Sequence, residues 1–253
     1  VIILFSSFSN AADYYWVNGS GNWSSLTNWS NTSGGAGGEY TQLPGSTDRV
    51  FFDANSFTVA GQVVTYDIAT TTVLSFIWTS TSDAEFDGLA TDVIAIRGSF
   101  VLSANMNYDF GGKIYLNAFS TTVQDSIKTQ GKVLLNDVII NGQGTYNLLD
   151  NLTLSAGTLI YERGVLNAAN RTITAPSFRS STQLSRNFLF TNGNLVLTSS
   201  GLVYDVISSA MTITDLNTAN IQTTYTGADT VTLAPGGTAQ VWDNFTSNSP
   251  NTK

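Results

Sequence analysis

The chain contains no cysteine and no histidine. Without cysteine there is no disulfide framework and no thiolate to act as nucleophile or metal ligand. Without histidine the commonest general base is missing, together with the usual triad base and the commonest transition-metal ligand. Serine–histidine and cysteine–histidine hydrolysis are therefore excluded, as is a zinc site built from those two residues. Charge is scarce too: Asp, Glu, Lys and Arg make up 11% of the 253 residues, against about a quarter in an average domain. The ten basic residues form no cluster and the formal net charge is −8, which opposes nucleic acid as a partner. No apolar run reaches the roughly 20 residues that cross a bilayer. For metal chemistry only oxygen is left, so calcium is the cation such a chain could hold.

What is present is a succession of short apolar runs punctuated by Asn, Gly, Ser and Thr. Gly112-Lys113-Ile114-Tyr115-Leu116-Asn117 returns nineteen residues on as Gly131-Lys132-Val133-Leu134-Leu135-Asn136, and Leu116-Asn117-Ala118 returns as Leu166-Asn167-Ala168. Runs such as Asp92-Val93-Ile94-Ala95-Ile96 and Asn194-Leu195-Val196-Leu197-Thr198 alternate with period two and end in turn residues, as strands do. No window sustains a capped 3.6-residue period. Strands of this length would also suit a β-sandwich. The near-repeat favours an all-β fold, a single-stranded parallel β-helix (β-solenoid). At about 20 residues and about 4.8 Å per rung, residues 60–253 would make nine or ten rungs about 45 Å long. Asn, Thr and Ser would then ladder along the stack.

Three segments follow. Residues 1–12, apolar and then small (Val1-Ile2-Ile3-Leu4-Phe5 to Asn10-Ala11-Ala12), read as the remnant of a secretory signal peptide. Residues 13–56 are rich in Trp and Gly, with Trp16, Trp23 and Trp29 within fourteen positions, and read as an aromatic N-terminal cap. Residues 57–253 read as the solenoid, ending in a cut, with further domains of the same polypeptide expected.

Two stretches carry a resemblance. Tyr15-Trp16-Val17-Asn18-Gly19-Ser20-Gly21-Asn22-Trp23-Ser24, continuing through Asn28-Trp29-Ser30 and Ser33-Gly34-Gly35 to Asp48-Arg49-Val50-Phe51-Phe52-Asp53-Ala54-Asn55-Ser56-Phe57, resembles the opening of a family of secreted Bacteroidota surface proteins. Asn136-Asp137-Val138-Ile139-Ile140-Asn141-Gly142, Asp150-Asn151-Leu152-Thr153-Leu154 and Gly164-Val165-Leu166-Asn167 resemble the strand–turn repeats of their β-helical regions. Where that opening usually has His before its last Trp, this chain has Asn28. The resemblance implies a large, modular, exported protein with roles in adhesion and cell-surface structure.

Candidate sites each have two readings. Trp16, Trp23 and Trp29, with Tyr14 and Tyr15, could stack on sugar rings. They could equally cover the open edge of the first rung, which a solenoid must protect. Asp48, Asp53 and Asn55 could hold calcium, or simply form turns. Asp83, Glu85, Asp87 and Asp92 could supply paired carboxylates for glycoside hydrolysis, or line a solvated loop. Arg163, Arg171, Arg179 and Arg186 are the basic candidates for a polysaccharide lyase, or they balance nearby acids. The reading is a non-catalytic, adhesin-like or structural segment, secreted or at the cell surface, whose partners are glycans or a neighbouring cell surface. The alternatives are a carbohydrate-active β-helix enzyme, lyase or glycosidase, and a phage or virion spike.

Overall fold

The computed structural model describes residues 11–207, 209–214, 218–236, 243–248, 250–251 and 253. Nearly all of the proposed signal remnant therefore lies outside the described residues. Apart from 3-10 turns such as Leu26–Asn28, the regular structure among the described residues is β.

Each turn of chain lays down three short strands, one on each of three faces. Val63–Tyr66, Thr70–Val73 and Ser75–Trp78 make one turn, and Glu85–Gly88, Val93–Ile96 and Phe100–Val101 make the next. On every face the strand pairs in parallel with its counterpart one turn away: Val64 beside Phe86, Thr71 beside Ile94, Phe76 beside Phe100. The result is a β-solenoid of about eight turns, about 38 Å long at about 4.8 Å per turn. It has fewer rungs than the repeat spacing suggested because the rungs are unequal and most are longer than twenty residues. Phe100 stands beside Ile127 and Phe178 beside Tyr204.

The nineteen-residue repeat is not the rung. Lys113–Leu116 stacks between Val93–Ile96 and Val138–Ile140 on the second face. Its sequence echo Val133–Leu134 stacks on Thr153–Leu154 on the first face. The two segments share the chemistry of entering a strand, not a position in the coil.

Alternation decides what is buried. Val64 and Tyr66, Phe76 and Trp78, Ile94 and Ile96 point inward, and their neighbours face out. One continuous apolar core runs the length of the coil. Its N-terminal part is aromatic: Phe52 and Trp78 stack at 4.3 Å, and Phe86 and Phe110 at 5.1 Å. Its middle is aliphatic, with Leu116, Val138, Ile140, Leu152, Leu159 and Leu166 buried. Outward polar side chains ladder as expected. Asn167 Nδ2 donates to Asn147 Oδ1 and Asn147 Nδ2 to Gln124 Oε1, each at 3.0 Å.

Two strands, Val138–Leu148 and Thr158–Asn167, run unbroken around the corner between the second and third faces. Glycine permits this. Gly164 has φ +88°, and a Cβ there would collide with the carbonyl oxygen of Gly142 on the neighbouring rung.

The cap closes the N-terminal end and also begins the coil. Asp13–Trp16 pairs in parallel with Arg49–Phe52, so rung stacking starts within residues 13–56 and not after them. The other edge of Asp13–Trp16 is covered by Trp29–Ser30, which runs antiparallel, with Tyr15 opposite Ser30.

Candidate functional site

The aromatic segment divides into an inside and an outside. Trp16, Trp23 and Trp29 are all 0% exposed. Trp29 meets Trp16 and Trp23 edge-on at 5.0 and 4.9 Å. Trp16 Nε1 donates to the Gly19 carbonyl at 2.6 Å and Trp29 Nε1 to the Trp23 carbonyl at 2.9 Å. Tyr14 is buried as well, stacked on Tyr40 at 3.7 Å, with its hydroxyl donating to the Gln42 carbonyl. Burial, reinforced by nearby Asp48, pushes that phenol up to about 12. A sugar ring has no access to these four faces, so the five-residue platform is corrected to a capping core. Only Tyr15 faces outward, stacked on Phe51 at 5.1 Å beside the Arg49–Asp13 ion pair. Asn28 is buried and donates to the Val17 carbonyl.

The calcium trio is separated. Asp48 precedes strand Arg49–Phe52 and Asp53 follows it, so extended chain of about 16 Å lies between them. Asp48 accepts from the Ala12 and Gly45 amides. Asp53 accepts from the Asn55 amide, and Asn55 Nδ2 reaches Ser33 Oγ. These bonds shape two separate loops and tie them to neighbouring chain, and the three residues do not converge on one cation. Among the described residues no three acidic side chains gather as a metal site would require.

The acidic run is also dispersed. Asp92 is buried and accepts from the Leu89 amide, while Asp83 accepts from the Gly61 amide. Glu85 and Asp87 point out from the first face. Stacking brings Asp87 beside Asp109 of the next rung, and Glu85 beside Asn107. The four arginines share no site. Arg171 bonds the Leu148 carbonyl, and Arg179 is exposed beside Asp205. Arg186 is buried; its two terminal guanidinium nitrogens donate to the carbonyls of Ser180, Ile207 and Ser209 and to Ser180 Oγ, while its buried Nε has no partner among the described residues. Desolvation lowers its pKa. It ties its own turn of the coil to the next one.

Sequence reasoning missed the groove along the corner between the second and third faces. Register places Leu74, Arg97, Asn117, Asn141 and Arg163 in one line along the axis, each following an inward or corner residue of its rung. Two depressions open on this corner. One, of about 270 Å³, is lined by Leu74, Arg97, Phe119, Val123 and Asp125. The other, of about 260 Å³, is lined by Thr121, Gln143, Arg163, Gly164 and Asn187. Arg97 lies over the Phe119 ring at 4.3 Å, and Phe119 is 53% exposed. No spacing in the chain marks these residues, because rungs of unequal length bring them together. An exposed Phe beside isolated arginines was the one available signal.

Compared with known proteins, the chain matches no family model, no curated protein and no solved structure. Among the described residues no helix is long and apolar enough to cross a membrane.

Proposed function

We propose that this chain is a non-catalytic, exported segment of a surface protein, adhesin-like or structural, which presents a stiff β-solenoid to glycans or a neighbouring cell surface. The observation that carries the reading is the use made of its acidic residues. Asp48, Asp53, Asp83, Asp92 and Asp150 each bind backbone amides of turns, and Asp13 and Asp137 are in ion pairs. Carboxylates committed to holding rungs together are not free to shuttle protons. The resemblance of residues 15–57 to the opening of secreted Bacteroidota surface proteins supports the same reading and an extracellular location. Incubation with a panel of neutral and acidic polysaccharides, followed by reducing-end assay, tests it. The expected result is no new reducing ends; turnover of any member refutes it.

One observation favours polysaccharide hydrolysis instead. Asp87 and Asp109 are register neighbours, at about 4.8 Å of rung spacing, near the carboxyl separation of about 5 Å in retaining glycosidases. Turnover abolished by Asp109→Asn would establish that reading.

A further inference from the structure

The corner groove holds hydrogen-bonding groups that the protein leaves unused. The Arg97 and Arg163 guanidinium groups make no hydrogen bond and no ion pair among the described residues, although both side chains are half-buried. In a chain of net charge −8 with two ion pairs among its described residues, unpaired cations on one line are unexpected on electrostatic grounds. The register line puts them three rungs apart, an axial separation of about 14 Å. Between the arginines the wall is glycine. A Cβ at Gly142 or Gly144 would collide with Ala118 or Ser120 backbone, so no side chain rises there to block an extended ligand. At one end the exposed Phe119 and Val123 supply an apolar surface. The remaining carboxylate, Asp125, accepts from Ser99 Oγ at 3.3 Å.

We infer that this corner binds an extended anionic glycan, its carboxylate or sulfate groups taken by Arg97 and Arg163 and the apolar face of a sugar ring laid against Phe119. The occupant must carry anions repeated along a chain, for which guanidinium groups are the natural partners. It must also carry an apolar ring face for the exposed Phe119, which a sugar polymer has and a polyphosphate lacks. Gly142, Gly144 and Gly164 then let the polymer lie close to the backbone. This inference rests on the non-catalytic reading, because the polymer is held and left intact.

Titration calorimetry with polygalacturonate, dextran sulfate, neutral dextran and inorganic polyphosphate tests it, with polymer length measured afterwards. The intact protein should bind polygalacturonate or dextran sulfate, and which of the two it prefers identifies the anion. Neutral dextran should not bind. Arg97→Gln combined with Arg163→Gln should weaken binding at least tenfold at an unchanged thermal midpoint, whereas Arg49→Gln should leave it as it was. Phe119→Ala should weaken glycan binding. If the double variant does not fold, each single Arg→Gln variant should still lower affinity. No binding to either anionic glycan, undiminished binding by the folded variants, or equally tight polyphosphate binding would overturn the inference. Shortening of a bound polymer would leave the groove standing and refute the non-catalytic reading. Absence of binding with polymers intact would do the reverse.

Discussion

At the scale of single residues, alternation settles which aromatics pack and which face water. Tyr14 and Trp16 are two apart and both buried, while Tyr15 between them is outward. That much was legible in the sequence as a strand. The inward direction of Trp23 and Trp29 was not, because a two-residue strand and a 3-10 turn set it. Trp23 packs against Trp29, Tyr66 and Phe76, so Trp23→Ala should destabilise by about 3–5 kcal/mol, read as a lowered denaturant midpoint. Asp125 supplies a test of the opposite sign. Burial raises its carboxyl above the ordinary range, against a smaller lowering by the Ser99 hydroxyl. A raised folded pKa gives stability that is complete below the unfolded value and lost as pH rises through the folded one. Once ionised, the part-buried group is therefore a cost. Asp125→Asn should raise the thermal midpoint where the carboxylate is ionised and flatten the pH dependence of stability above the ordinary carboxylate value.

Among the elements, the strand class and its turn punctuation were readable, but the partner of each strand was not. Gly112 and Gly131 open near-identical hexapeptides that lie on different faces, because the loops between strands vary in length. Only the stacked register distinguishes them. The corner strands make a sharper case. Gly164 and Gly61 both have positive φ, at +88° and +68°, yet a Cβ at Gly61 would meet nothing within 4 Å. Gly61→Ala therefore bears only the conformational penalty of about 1 kcal/mol, whereas Gly164→Ala adds a backbone collision. Thermal melts should place Gly164→Ala well below Gly61→Ala. Equal midpoints would mean that the rungs at this corner do not approach as described.

For the whole molecule, the long core couples the turns. Tyr14, Tyr66, Tyr146 and Tyr161 all have their phenols raised by burial. Folding therefore holds their protons. The stability they give is intact below the ordinary phenol value of about 10 and is lost as pH climbs past it. Tyrosinate absorbance from these residues should appear together with loss of the β circular-dichroism signal, as one alkaline transition. A gradual rise in absorbance from the folded protein would place these rings at the surface.

The solenoid itself was legible from short punctuated strands and the lack of helical periodicity, and the cap from the clustered Trp residues. Rung length was not, since a chance echo at nineteen residues is as visible as a true stacking period. Because the chain has no cysteine, introduced pairs report register without background. Thr153 and Thr174 are outward neighbours on successive turns, within the Cα separation of about 4.4–6.8 Å that a disulfide needs. Lys113 and Lys132 are equivalent only in the sequence echo. Oxidative cross-linking of the two double-cysteine variants is the most direct test of the stacked register. The account predicts a disulfide in Thr153→Cys/Thr174→Cys and none in Lys113→Cys/Lys132→Cys, and the reverse would contradict it.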